Sequence, residues 1–127
     1  MRESPSNPNR NVTAALAMAA VLFLAAVPAL AAETWKGVSL VDTQCASRVK
    51  SDPDAHTTKC ALQCSKNGFG IYAADGTWLK LDEAGNKLAE AAIKGTKKTD
   101  HIRATVTGER QGDTIKVATL TLDEKTS

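Results

Sequence analysis

The chain has 127 residues, with 16 Lys+Arg against 14 Asp+Glu and a formal net charge of +2. That near balance argues against a polyanion binder that works through an overall basic surplus. At 43% hydrophobic and 24% charged residues it is too apolar for a disordered chain.

In chain order, the first feature is an uncharged apolar run, Val12 to Val27. Arg2 and Arg10 precede it, Pro28 ends it, and Ala29-Leu30-Ala31 supplies small residues at the two positions a signal peptidase reads. This layout predicts a secretory signal peptide over residues 1–31, cleavage after Ala31 and an exported product, periplasmic or extracellular. A retained anchor is the competing reading, because the run is nearly long enough to span a bilayer. After cleavage no membrane contact is expected. Residues 32–127 then form a single domain of about 96 residues, which leaves no room for a large catalytic fold. Loss of Arg2, Arg10 and Glu3 leaves 14 basic and 13 acidic residues, so no nucleic-acid partner is expected.

Trp35 to Val41 reads as a first strand. Residues Asp42 to Asp54 are polar and include the turn cluster Ser51-Asp52-Pro53-Asp54. Ala55 to Lys66 lacks Gly and Pro, which predicts a short helix ending at Asn67-Gly68. Asp75-Gly76 between Phe69–Ala74 and Thr77–Leu81 predicts a hairpin, since both residues tolerate positive φ. Leu88, Ala89, Ala92 and Ile93 mark one side of a second helix, capped by Asn86 and stopped by Gly95. His101 to Glu109 alternates as a strand, with His101 at its opening, and Thr114 to Leu122 is the last strand. Ile115 and Val117 share one face while Leu120 and Leu122 share the other, a switch of parity that predicts a bulge or a strand bending round a barrel.

The predicted fold class is mainly β with a small α component. Five strands make an OB-like barrel, with a helical Cys-containing insertion after strand 1 and a helix between strands 3 and 4. The closing segment, His101-Ile102-Arg103-Ala104-Thr105-Val106-Thr107-Gly108 followed by Gly112-Asp113-Thr114-Ile115-Lys116-Val117, resembles the final hairpin of small exported bacterial OB-fold-like domains. Asp42-Thr43-Gln44-Cys45, followed by His56, Cys60 and Cys64, resembles an Asp-x-x-Cys … His … Cys-x-x-x-Cys insertion found in some of them. The group has no settled function, so the resemblance implies a fold and an exported setting but no activity.

Any chemistry lies between Asp42 and Cys64. On a continuous helix, residues four apart share a face, so His56, Cys60 and Cys64 would form one stripe onto which Cys45 could fold back. Two readings stay open. The three cysteines are disulfide candidates, with Cys45 joined to Cys60 or Cys64, because Cys60 and Cys64 on one helix point nearly parallel. Alternatively Cys45, His56, Cys60 and Cys64 hold zinc or copper as a set of three thiolates and one imidazole. His56 by itself reads as a partly exposed helix residue and Asp42 as a strand-end residue.

No phosphate loop, C-x-x-C pair, H-E-x-x-H or G-x-S-x-G is present. No catalytic residue is assigned. The expected function is a small exported binding or interaction module, non-enzymatic, stabilised through its cysteines and acting on a ligand or protein partner that the sequence leaves open. It calls for no cofactor. The alternative function is a metal-binding protein that takes zinc or copper.

Overall fold

A computed structural model of the chain describes residues 31–124. The expected signal peptide, up to residue 30, lies outside them. Five strands close into a barrel in the order β1-β2-β3-β5-β4: β1 Glu33–Asp42, β2 Phe69–Tyr72, β3 Trp78–Leu81, β4 Arg103–Gln111 and β5 Thr114–Leu122. All neighbours are antiparallel except β3 and β5, which pair in parallel through Lys80↔Thr114 and Leu81↔Ile115. This is the OB-like connectivity expected from the element order.

The long β1 makes closure work. Its first half pairs with β4, from Glu33↔Gly108 to Ser39↔Arg103, and its second half pairs with β2, from Ser39↔Tyr72 to Asp42↔Phe69. A strand serving two neighbours must coil, and a bulge at Lys36-Gly37 opposite Thr105 provides the bend. Gly37 takes φ 60° there, a left-handed conformation that costs glycine little.

The parity switch in the last strand is real. Thr107 faces Thr119 and Gly108 faces Val117, so Ala118 is the extra residue of a bulge. Gly108 is required at this crossing, because a Cβ on it would stand 2.3 Å from the Lys116 carbonyl oxygen. The core is filled by the inward residues of the alternating strands, with Phe69, Leu40, Ile71, Leu79, Ile115 and Val106 all within 2% of full burial.

Three helices accompany the barrel: α1 Ala46–Val49, α2 Thr58–Gln63 and α3 Glu83–Gly95. The third covers the barrel between β3 and β4, burying Gly85, Ala89 and Ile93 at a spacing of four. Leu88, expected on the same side, is exposed. The cap also differs from expectation. Asp82 caps the helix by accepting from the Gly85 N–H at 2.9 Å, whereas Asn86 lies inside the helix and accepts from the Phe69 N–H at 2.8 Å. An Asp at the strand end competes for the cap, and it wins because its oxygen also receives the Val117 N–H at 3.2 Å.

The continuous helix expected from Ala55 to Lys66 is broken into three pieces. A 3-10 turn at Pro53–Ala55 ends at His56, which is extended at φ −70°, ψ 129°. Thr57 then caps α2 through its hydroxyl, which accepts from the Cys60 N–H at 3.1 Å. A second 3-10 turn, Ser65–Asn67, follows Cys64. Thr57 stops the helix from extending back to Ala55, because an N-cap residue takes β-region dihedrals. The stripe His56–Cys60–Cys64 therefore does not form on one helix.

Candidate metal centre

The extended His56 points inward instead of outward. Its Nε2–H donates to Asp42 Oδ1 at 2.5 Å, and both side chains are buried, Asp42 completely and His56 to 6% exposure. Asp42 is the last residue of β1, where the strand passes from the core into the insertion. Its second oxygen accepts from the Cys45 N–H at 3.0 Å, which turns the chain and brings Cys45 back over the carboxylate. One carboxylate thus fixes both the histidine and the cysteine. Donor atoms of Asp42, Cys45 and His56 all lie within 4.8 Å of one another.

The surrounding bonds explain why this constellation is held. Arg103 of β4 grips Asp54 with two bonds, 3.0 Å from Nε and 2.7 Å from Nη2, and its Nη1 donates to the Gly37 carbonyl at 3.0 Å. The His101 N–H donates to the Asp54 carbonyl at 2.9 Å, so the residue two before His56 is clamped to the barrel. On the other side of the insertion, the Thr43 N–H donates to the Gly68 carbonyl at 2.9 Å and Asn67 Nδ2 donates to Gln44 Oε1 at 2.7 Å. These bonds bring the end of α2 alongside the Asp42–Cys45 turn.

The expected site residues occupy three different settings. Cys45 is 4% exposed, Cys64 is half-buried and Cys60 is exposed; all three are free thiols. Cys64 ends α2 on the segment that is hydrogen-bonded to the Asp42–Cys45 turn. Burial, then the Asp42 carboxylate and the Cys45 thiol, hold its thiol above the usual range. It nevertheless stands outside the tight set of three. Cys45 and His56 come together as the metal reading expects, Asp42 joins them, and Cys60 remains on the outer side of α2. Arg48, which no motif or spacing singles out, donates from Nη2 to Cys45 Sγ at 3.0 Å and brings positive charge to the sulfur. Asp42 did carry a signal, an acidic residue directly ending an apolar strand and three residues before a cysteine.

A separate groove runs over the face of β1 and β2. It has a volume of about 340 Å³ and is lined by Lys36, Val38, Lys50, Tyr72 and Arg103 among others. Tyr72 packs against Trp78 with ring centroids 4.9 Å apart, and its hydroxyl donates to the Ala46 carbonyl at 2.5 Å, joining the groove to the insertion. Among the described residues no helix is long and apolar enough to cross a membrane. No family model matches the chain, and no curated protein or solved structure matches it.

Proposed function

We propose that this is an exported metal-binding domain that takes zinc at Asp42, Cys45 and His56. The observation that carries the reading is the convergence of a carboxylate, a thiol and an imidazole, all buried, within 4.8 Å. A carboxylate, an imidazole and a single thiol form a borderline donor set, which suits zinc better than Cu(I), an ion that favours several soft thiolates. Three protein donors leave a tetrahedral ion one further position.

Zinc takes Cys45 as the thiolate and His56 as the neutral imidazole with its hydrogen on Nδ1, so uptake releases the thiol proton. Zinc ligands at about 2.0–2.1 Å in a tetrahedron stand roughly 3.3 Å apart, so the 2.5 Å contact of Asp42 with His56 widens by less than an ångström. The function is one of binding and not of catalysis. A thiol enzyme needs its nucleophile open to substrate, and Cys45 is 4% exposed.

The test uses the full chain, reduced and stripped of metal, with Zn²⁺ as titrant and Co²⁺ as spectroscopic stand-in. One ion per chain and a thiolate-to-cobalt charge-transfer band are expected, both lost in Cys45→Ser and in His56→Ala. A reduced, folded chain that retains no zinc after desalting overturns the reading.

The groove favours a second reading, the interaction module expected from the sequence. Its size lies at the lower end for small-ligand sites, and Lys36 and Lys50 on its walls suit an anionic ligand beside Tyr72. Chemical shift changes confined to Lys36, Lys50, Tyr72 and their neighbours in the groove on titration with small aromatic carboxylates would support it. Uniform silence across such a panel would remove it.

A further inference from the structure

Beyond Cys45 of the tight donor set, the half-buried Cys64 lies on the segment that is hydrogen-bonded to the Asp42–Cys45 turn. We propose that Cys45 and Cys64 form a redox pair that gates the site: joined as a disulfide they expel the metal, and reduced they admit it. This inference rests on the zinc reading above. It also selects one pairing from the three cysteines.

The geometry favours Cys64 over Cys60 as the partner of Cys45. Cys64 is half-buried at the end of α2, directly before the 3-10 turn that carries Asn67. The bonds from Thr43 to Gly68 and from Asn67 to Gln44 hold the segment after Cys64 against the segment before Cys45. Cys60 is exposed on α2, and the Cys64 N–H donates to its carbonyl at 3.2 Å, so the two cysteines sit one helical turn apart with nearly parallel side chains. Within this pair, the half-buried Cys64 is open to a small oxidant while Cys45 is buried, so the mixed disulfide forms on Cys64.

The chemistry balances with a low-molecular-weight disulfide as oxidant. The Cys64 thiolate attacks glutathione disulfide, forming a mixed disulfide and releasing one glutathione thiol. The Cys45 sulfur then attacks the Cys64 sulfur, forming the internal bond and releasing the second glutathione. Two electrons pass from the protein thiols to glutathione, and the thiol protons end on the two glutathiones or in solvent. The zinc ion keeps its oxidation state. It loses the Cys45 thiolate, because a sulfur in a disulfide is no longer an anionic ligand. Asp42 and His56 alone make a two-donor site, too few for a closed tetrahedral centre.

The experiment treats the full chain with glutathione disulfide in zinc-loaded and zinc-free form. Zinc release is followed with a chromophoric indicator, and the disulfide is mapped by proteolysis and mass spectrometry. The expected result is a Cys45–Cys64 link whose appearance parallels zinc release, the same behaviour in Cys60→Ser, and release slowed at least tenfold in Cys64→Ser. A link that uses Cys60, glutathione attached at Cys60 alone, or zinc still bound when Cys45 and Cys64 are joined overturns the proposal. If the reduced chain takes no zinc, the zinc reading fails separately. The zinc-free mapping then decides the pairing, with a Cys45–Cys64 bond in favour and a link through Cys60 against.

Discussion

The barrel and the insertion between β1 and β2 are built on opposite plans. In the barrel, apolar side chains alternate along strands, and any one of them could be exchanged for another of like volume at small cost. The insertion, residues 43–68, contributes little to the core besides Ala61. It is held by side-chain hydrogen bonds, by an ion pair to β4 and by one buried carboxylate with two partners. Density organises the first region and polar satisfaction the second. Losses in the first are spread over many contacts, while losses in the second fall on single bonds. The site sits at the junction, where the barrel supplies a rigid strand end and the insertion supplies the chemistry.

The largest loss is expected from the barrel side. Phe69 is 1% exposed at the start of β2. Phe69→Ala should cost about 3–5 kcal/mol by lost transfer energy and a residual cavity. Equilibrium denaturation in urea will read it. The zinc stoichiometry of the folded fraction should not change, since Phe69 supplies no donor.

His56→Ala attacks the junction. It leaves the fully buried Asp42 carboxylate without the hydrogen-bond donor on its Oδ1, and stranding a buried charged acceptor costs about 3 kcal/mol. A surface histidine on a helix would cost a few tenths, so the size of the loss separates the two placements. Zinc uptake should vanish with it, and Asp42→Ala should match that loss of uptake. A mild effect on both readouts would mean that the pair is not formed in solution.

Removing metal is the next step down. Loaded with free zinc at about a hundred times its dissociation constant, the domain gains about 2.7 kcal/mol by mass action, and excess chelator should remove that gain. Calorimetry with and without chelator reads it as a fall in Tm. Cys45→Ser should show no chelator effect at all.

The two regions also differ in how far the sequence disclosed them. Period-two alternation around Ile102, Ala104 and Val106, the Asp75-Gly76 turn and the parity switch before Leu120 are enough for the strand order and the bulge. These signals are local and repeat. The helix expected across His56 does not form, because a stretch free of Gly and Pro says nothing about caps, and Thr57 ends the helix through its own hydroxyl. Cys45 and His56 stand out by residue type. Asp42 is legible as a strand end three residues before a cysteine, but its burial is not, because that depends on two partners, one of them fourteen positions away. The grip of Arg103 on Asp54 spans 49 positions and has no pattern in sequence at all.

That ion pair gives the smallest and most specific expectation. The Arg103 guanidinium, by its hydrogen bonds first and its charge second, holds the Asp54 carboxyl below the usual carboxylate range. A depressed folded value means that the stabilisation is complete above the unfolded value, about 3.9 for an aspartate. It is lost as pH falls through that value to the lower folded one. The side chains of Asp54 and Arg103 are 23% and 47% exposed, so solvent and salt screen the pair and its worth is about 1 kcal/mol or less at neutral pH. Asp54→Asn should therefore lower stability slightly at neutral pH and flatten the acid limb of the stability profile below about pH 4. Its larger effect should fall on the insertion, because Asp54 is the clamp that holds the chain two residues before His56. Amide exchange at His56 should quicken in the variant while amides in β4 and β5 keep their protection. Equal quickening in both regions would show that the insertion is not a separately anchored unit, and the contrast between the two plans would fall.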